Sequence, residues 1–182
     1  MCSVRDDLLS RYLQFSVESC EINKAISAVK PSIVEAYCDD PSSRKRLFLI
    51  NDLNLFLMQV MAFDGFVTAC LHTRGLDKGG SLQKRLQRLA NDQLRNDSCY
   101  QRLLNGVAEI EKIRDAWIHG QGDPSILKNP NWPAHLTDRF ALEGIDGRLW
   151  IRLSQKRDGR TVWSFIINTL HDIAALIWES LE

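Results

Sequence analysis

Hydrophobic residues recur every three or four positions along most of the chain, which is the spacing of one face of an α-helix. Val4 to Val29 predicts a first long helix, which Pro31 would end. Its apolar side would carry Leu8, Leu9, Tyr12, Phe15, Ile22 and Ile26. Arg44 to His72 predicts a second long helix, apolar around most of its circumference and therefore buried on several sides.

Turn and capping residues predict where the other helices begin and end. Pro41-Ser42-Ser43 predicts a turn before the second helix, and Gly75 the end of that helix. Ser81 is the predicted N-cap of a short helix, Leu82–Ala90, because its hydroxyl can accept a hydrogen bond from a free backbone N–H. Asn96-Asp97-Ser98 predicts another turn.

Two further helices complete the helical prediction. The first runs from Cys99 to Ile118, with Gly120 as its C-terminal cap. The last helix is predicted from Thr161 to Leu181. Its core positions would be Ile166, Leu170, Ile173 and Ile177.

Before the last helix the pattern changes to that of a β-hairpin. Phe140-Ala141-Leu142 and Leu149-Trp150-Ile151 flank the turn sequence Gly144-Ile145-Asp146-Gly147. The predicted fold class is therefore all-α: an up-down helical bundle of four to five main helices, with a short β-hairpin inserted before the C-terminal helix. A chain of 182 residues suits one domain, so we expect a single domain over residues 1–182.

Charge and cysteine content narrow the classes of function. Lys+Arg and Asp+Glu both number 23, so the net charge is zero. This argues against broad nonspecific coating of nucleic acid, which needs many basic groups, but leaves room for a local phosphate site. The five cysteines form no CxxC pair and the four histidines are scattered, so we expect no metal site and no cofactor. Reduced thiols of this kind fit a cytoplasmic protein.

One stretch, Leu47 to Leu71, is apolar enough to be compared with a membrane span. It contains two acids and three amides. Placing an acid in hydrocarbon would cost about 2–3 kcal/mol. We therefore expect the central helix of a soluble bundle and no membrane partner. The charges of Arg5, Asp6 and Asp7 precede any apolar run, unlike a signal peptide.

The candidate chemistry lies at the predicted end of the Cys99–Ile118 helix, where Arg114, Asp115 and His119 fall within six residues. An arginine can hold a phosphate through a planar set of donors. A histidine can move a proton near neutral pH. An acid beside them can orient the imidazole. These are the groups needed to cut RNA without a metal.

Placed on a straight helix at about 100° per residue, the polar residues of this segment fall on one side. They are Glu111, Arg114, Asp115 and His119, with Ile118 among them. The opposite, core side carries Leu103, Val107, Ile110, Ile113 and Trp117. Arg114 and His119 are about 140° apart, so one copy would converge on a phosphate only if the helix unwinds near Gly120. A two-fold dimer offers another route. Spacing alone also fits, and favours, a salt-bridged helix surface with a histidine at the helix end.

The segment from Ile113 to Gly120 resembles the signature of the HEPN superfamily: arginine, a polar residue, a few more residues, then histidine, at a helix end in an all-α bundle. Asp115 fills the polar position, where Asn is more frequent, and Gly120 follows the histidine. The short helix from Ser81 to Ala90 and the long apolar helix before it match the family's layout. The resemblance extends over about residues 44–120 and the last helix.

The resemblance implies a homodimer whose motifs meet at the interface and a metal-independent endoribonuclease. Arg114 would hold the phosphate, and His119 would act as general base or acid. Asp115 would fix the imidazole tautomer or raise its pKa, with Glu111 in support. The 2′-hydroxyl of RNA would attack the adjacent phosphate and leave a 2′,3′-cyclic phosphate. Such enzymes act as toxins with antitoxins, in phage defence or in RNA processing, which implies an antitoxin or regulatory protein as partner.

Other residues carry further predictions. Basic side chains around the hairpin are the candidate RNA-backbone patch, or else a charged, solvated hairpin edge. They are Arg148, Arg152, Lys156, Arg157 and Arg160. Asp52 and Gln59 share a stripe of the central helix and need polar partners there. Asp64-Gly65 predicts a kink or a close helix contact. His171 is expected to be a structural histidine.

Three classes of function are compatible with the sequence. The first is a HEPN-like ribonuclease. The second is a catalytically inactive HEPN-like module that binds a protein partner or a nucleotide. The third is a helical regulatory protein in which the Arg114–His119 cluster forms only a salt-bridged interface.

Overall fold

The computed structural model describes residues 4–28, 40–120, 142–145, 148–151, 156–157 and 160–180. Helices dominate these residues. They are α1 (Val4–Ala28), α2 (Pro41–Thr73), α3 (Leu82–Leu89), α4 (Asp92–Arg95), α5 (Ser98–Gly120) and α6 (Val162–Ser180). The predicted helical-bundle character is therefore confirmed.

Four short strands lie between α5 and α6: β1 (Leu142–Ile145), β2 (Arg148–Ile151), β3 (Lys156–Arg157) and β4 (Arg160–Thr161). β1 pairs antiparallel with β2, and β3 with β4. Gly144 and Ile145, the first two residues of the predicted turn, lie in β1 instead, and residues 146 and 147 lie outside the described residues. The inserted hairpin therefore stays a prediction.

The chain divides into two compact units. Unit 1 comprises Met1–Glu21, Gln59–Glu111 and Ile166–Glu182. Unit 2 comprises Ile22–Met58 and Lys112–Phe165. A single domain over the whole chain stays a prediction.

Aromatic side chains form the centre of unit 1. Phe15 of α1 packs against Phe63 and Phe66 of α2, with ring centroids 5.5 and 5.8 Å apart. Tyr12 stacks on Trp178 of α6 at 6.1 Å. Such ring pairs add to the free energy gained from burying apolar area. α1, α2 and α6 are therefore held together by aromatic packing in unit 1.

The predicted core positions of the last two long helices are confirmed. On α6, Ile166, Leu170, Ile173 and Ile177 are fully buried. On α5, Leu103, Val107, Ile110 and Ile113 are buried, while the Trp117 side chain lies outside the described residues. The 3.6-residue period therefore identified which residues of these helices face the core.

Two predicted helix boundaries are confirmed by their hydrogen bonds. The Ser81 hydroxyl accepts from the backbone N–H of Lys84, so Ser81 is the N-cap of α3. Gly75 has a φ of +65° and its N–H donates to the carbonyl of His72, while the N–H of Leu76 donates to Leu71. This is a Schellman motif, in which glycine at a left-handed position ends the helix.

The prediction of a turn at Pro41-Ser42-Ser43 is wrong, because α2 begins at Pro41. A carboxylate oxygen of Asp40 accepts a hydrogen bond from the N–H of Ser43 at 2.8 Å. Asp40 is thus an N-cap, and Pro41 occupies the first helical position, where its missing N–H costs nothing. The predicted turn around Asn96 is preceded by the one-turn helix α4, which the sequence pattern did not predict.

The predicted close helix contact at Asp64-Gly65 is also wrong at the glycine. No atom of the described residues lies within 4 Å of a Cβ placed on Gly65, so this glycine makes no close helix contact among them. Asp64 instead pairs with Arg85 of α3, whose Nη1 also donates to the Thr68 hydroxyl at 3.0 Å. The polar residues of this turn therefore join α2 to α3.

The segment Asp52–Thr73 of α2 is long and apolar enough to cross a membrane by length and composition alone, in the part of the chain the structure describes. Half of it is buried within the protein. A core helix of a soluble protein passes the same test, so this segment is weak evidence for a membrane span.

Candidate functional site

The candidate site lies at the C-terminal end of α5. The helix runs through Gly120, two residues beyond the predicted end, so positions 114 to 119 are all helical. In a helix, positions five residues apart differ by about 140° around the axis and about 7.5 Å along it. The unwinding near Gly120 that would bring Arg114 and His119 of one copy together is therefore not observed. The alternative, in which a two-fold dimer brings Arg114 of one copy to His119 of the other, stays a prediction.

The Arg114 guanidinium is bound to the neighbouring carboxylate of Asp115. Its Nε and Nη2 both donate to Oδ1 of Asp115, at 3.1 and 2.9 Å. Adjacent helical residues point about 100° apart, so the long arginine side chain bends around the helix to make this pair. The two side chains are 28% and 45% exposed, which leaves both accessible to a ligand.

Asp115 was predicted to orient the His119 imidazole. The His119 side chain lies outside the described residues, so that role stays a prediction. Both hydrogen bonds from Arg114 use Oδ1 of Asp115. Its second oxygen, Oδ2, has no hydrogen bond within the described part of the chain and is open to another donor.

Glu111 does not lie on the exposed face, and that prediction is wrong. Its side chain is buried, and its carboxylate accepts from the backbone N–H groups of Leu82 at 2.7 Å and Gln83 at 3.2 Å. Leu104 explains the error: it is buried and lies two turns before Glu111, so both share one face of α5. The core-facing sector of α5 is therefore wider than the predicted apolar stripe.

Ile118 is exposed over 53% of its surface, as expected for an apolar residue on the polar side of the helix. Two more large apolar side chains of unit 2, Leu47 and Met58, are also exposed. Single exposed apolar residues are common on monomers. A contact of Ile118 with a second copy therefore stays a prediction.

The basic residues near the hairpin are only partly described. Arg148 lies in β2, and Lys156, Arg157 and Arg160 lie in β3 and β4. Arg157 and Arg160 are directly opposite each other in the antiparallel pair. Arg152 and the side chains of the other four lie outside the described residues, so the RNA-backbone patch stays a prediction.

His171 has the structural role predicted for it. Its Nε2 lies 2.7 Å from the hydroxyl of Ser19, which is fully buried, and its ring packs on Phe15 with centroids 5.0 Å apart. Burial lowers the pKa of His171 below its ordinary value of 6.5, and the nearby charge of Asp172 opposes this shift. Because Ser19 is fully buried, a substrate cannot reach the Ser19–His171 pair. Among the described residues, no group of three or more His, Cys, Asp or Glu could hold a metal ion.

Gln59, one of the two predicted polar positions on α2, has a fully buried side chain. Within the described part of the chain, neither its Nε2 nor its Oε1 has a hydrogen-bond partner. The sequence indicated that this residue needs a partner, but could not indicate whether one is present. The buried amide therefore carries an uncompensated desolvation cost.

Comparisons with protein-family models, with curated proteins and with solved structures found no match for this chain. The similarity to the HEPN signature therefore rests on the Arg114–His119 motif and on its position at the end of a helix.

Proposed function

We propose that this protein is a homodimeric, metal-independent endoribonuclease of the HEPN type. One observation carries the proposal: a partly exposed Arg114 guanidinium, positioned by Asp115, lies five residues before His119 near the end of α5. Arginine binds phosphate through two parallel hydrogen bonds, and its charge can stabilise the charge that develops on phosphate during cleavage.

The dimer follows from the straight helix. Positions 114 and 119 differ by about 140° around α5, so we assign the two groups of one site to different copies. A two-fold axis can set position 114 of one copy opposite position 119 of the other. The exposed Ile118 would lie at that contact. Each dimer would then hold two composite sites.

The proposed reaction is an in-line transesterification. One His119 imidazole removes the proton from the ribose 2′-hydroxyl, whose oxygen then forms a bond to the adjacent phosphorus. The bond from phosphorus to the 5′-oxygen breaks, and this oxygen takes up a proton from water as it leaves, while the imidazolium returns its proton to the solvent. The products are a 2′,3′-cyclic phosphate and a 5′-hydroxyl. The Arg114 guanidinium neutralises the charge of the pentacoordinate phosphate in between.

Asp115 has two proposed functions. It positions the Arg114 guanidinium of its own copy through Oδ1, and through Oδ2 it accepts a hydrogen bond from the His119 imidazole of the other copy. A carboxylate beside the imidazole raises its pKa and favours one tautomer. The reaction needs no metal or cofactor in this scheme.

The cellular setting is also part of the proposal. We place the enzyme in the cytoplasm, in a toxin–antitoxin or phage-defence role, with an antitoxin or regulatory protein that restrains it. The basic residues of β2, β3 and β4, with Arg152, would hold the RNA backbone beside the hairpin.

Cleavage of RNA in the presence of a chelator tests the proposal. The Arg114→Ala and His119→Ala variants should each cut at least about 100-fold more slowly than the wild type, the usual effect of losing a charge-stabilising or proton-transferring group. Lys112→Ala is the matched control, because Lys112 is an exposed cation on the same helix. Equal cleavage by wild type and His119→Ala would contradict the mechanism, and so would products ending in 3′-hydroxyls.

The second candidate is a catalytically inactive HEPN-like module that binds or assembles with a partner. The ion pair between Arg114 and Asp115 favours it, because a carboxylate already occupies two donors of the guanidinium. This candidate predicts that wild-type protein dimerises but cleaves no RNA, and that Arg114→Ala weakens the dimer.

A further inference from the structure

The segment from Lys78 to Arg102 concentrates positive charge. It holds six cationic and two acidic side chains, a net charge of +4 in a chain whose total is zero. It includes α3, α4 and the first turn of α5, which all belong to unit 1. A local excess of this kind is the usual footprint of a surface that binds phosphates.

Within this segment the surface forms an open depression of about 510 Å³. Its lining residues are Lys84, Gln87, Arg88, Arg95 and Gln101. Three are cations and two are amides, and the described lining residues include no acidic, aliphatic or aromatic residue. The depression can therefore offer positive charge and hydrogen bonds to a ligand.

The walls of the depression are fixed by hydrogen bonds to the backbone. Nη1 of Arg88 donates to the carbonyl oxygens of Asp77 and Gly79, which holds its guanidinium against the loop before α3. Nε2 of Gln101 donates to the carbonyl of Arg95 at 2.7 Å, which joins α5 to α4. These two lining residues are thus held in place before any ligand arrives, which lowers the entropic cost of binding.

The positive charges remain available to a ligand. Lys84 is exposed and forms no ion pair with any described residue. Arg95 pairs with Asp92 at 3.5 Å, and both side chains are exposed. The pair of Arg88 with Asp77, at 3.3 Å, is also exposed on the aspartate side. Exposed ion pairs of this kind contribute little to stability, so phosphate oxygens can replace these carboxylates.

We propose that this depression binds the phosphodiester backbone of RNA. A stable protein interface is usually anchored by large aromatic or aliphatic side chains, and the described lining residues include none. Since none of the described lining residues is aromatic, they offer no platform for base stacking, and the depression contacts phosphates and sugars rather than bases. The choice of RNA over DNA rests on the proposed ribonuclease function.

Binding of a short single-stranded RNA with 2′-O-methyl riboses tests this inference by fluorescence anisotropy over a range of salt concentrations. This RNA lacks the attacking hydroxyl and stays intact, so binding is measured whether or not the protein is a nuclease. The test variant is Lys84→Gln/Arg95→Gln. It removes two charges of the lining but keeps Arg88, whose hydrogen bonds hold the loop before α3. The matched control is Lys78→Gln/Arg102→Gln, which removes two exposed charges of the same segment outside the lining.

The affinity for a single strand falls as the salt concentration rises. Each phosphate contact makes the slope of log affinity against log salt steeper by about 0.7. The test variant should therefore lose about 1.4 from this slope and bind about 25-fold more weakly at about 0.1 M salt. The control should stay within about twofold of the wild type, since its two exposed charges lie outside the lining and are partly screened at this salt concentration. Thermal unfolding of both variants checks that they are folded.

Three results would overturn the inference. The first is that the test variant binds RNA as tightly as the wild type does. The second is that the control variant loses as much affinity as the test variant. The third is that polyglutamate competes for the protein as well as unlabelled RNA of equal charge. The last result would indicate an acidic protein partner. Failure of the proposed nuclease is separate: wild-type protein would then bind the methylated RNA normally and leave ordinary RNA uncut.

Discussion

The carboxylate of Glu111 accepts a hydrogen bond from the backbone N–H of Leu82, the first residue of α3, at 2.7 Å. A second bond from Gln83, at 3.2 Å, shares the same carboxylate. The free N–H groups and the partial positive charge of a helix N-terminus both favour a carboxylate there. Glu111 therefore joins α5 to α3 in unit 1 and has a structural function.

Replacement of Glu111 should destabilise the protein. Glu111→Ala leaves two N–H groups of α3 without their acceptor and should lower the free energy of unfolding by about 2–3 kcal/mol. Glu111→Gln keeps one acceptor oxygen and should cost about 1 kcal/mol. Urea unfolding measures both, with the exposed Glu179→Gln as control. A loss of RNA cleavage by Glu111→Gln without any loss of stability would contradict a structural role.

Replacement of Gln59 should have the opposite effect. Its amide is fully buried and neither polar atom has a hydrogen-bond partner among the described residues, so an apolar side chain of similar length avoids the desolvation cost. Gln59→Met should raise the free energy of unfolding by about 1 kcal/mol. The exposed Gln93→Met should change it by less than about 0.5 kcal/mol. If Gln59→Met unfolds more easily than the wild type, the amide has a partner in solution.

His171 should make stability depend on pH. Because burial lowers its pKa in the folded protein, the unfolded chain binds more protons between that pKa and the ordinary value of 6.5. The free energy of unfolding should therefore fall as the pH drops below 6.5, and the fall should level off below the folded-state pKa. Above pH 6.5 this residue should add no pH dependence.

The measurement is the difference in unfolding free energy between wild type and His171→Gln across the acid range. Glutamine can keep a hydrogen bond to Ser19 and does not titrate, so the difference should shrink with acidity. His72→Gln, at an exposed histidine, should show no such trend. A difference that is constant with pH would rule out a buried neutral imidazole.

The ion pair of Asp115 with Arg114 leads to a prediction about catalysis. Asp115→Asn keeps a hydrogen-bonding oxygen but removes the charge that competes with phosphate for Arg114. It should retain cleavage within about tenfold, whereas Asp115→Ala should lose about 100-fold, as expected when a positioning hydrogen bond is removed. A positioning role predicts that Asp115→Ala lowers kcat and leaves KM nearly unchanged. Full activity of Asp115→Ala would show that Asp115 has no role in cleavage.

The sequence predicted much of the fold because local rules control it. The 3.6-residue period identified the buried isoleucines of α6, and capping chemistry identified Ser81 and Gly75. α4 was missed because one turn is too short for a periodic signal. The sequence pattern predicts a turn at Pro41, although proline is equally suited to the first position of a helix.

The candidate site was harder to predict because it depends on contacts between distant residues. Glu111 was expected to be exposed, since its partners, the N–H groups of Leu82 and Gln83, are far away in sequence and belong to the backbone. The pair of Arg114 with Asp115 was also missed, since adjacent helical residues seldom face each other. The motif identified candidate residues, but not which carboxylate would bind which group.

Mixing two inactive variants tests the central claim most directly: that Arg114 of one copy and His119 of the other form one site. Arg114→Ala and His119→Ala protein should each be inactive alone. In a mixed dimer, one site would carry both substitutions and the other would be intact. Random reassociation should therefore restore about a quarter of the wild-type cleavage rate. A mixture no more active than its separate components, alongside active wild-type protein, would contradict a site shared between two copies.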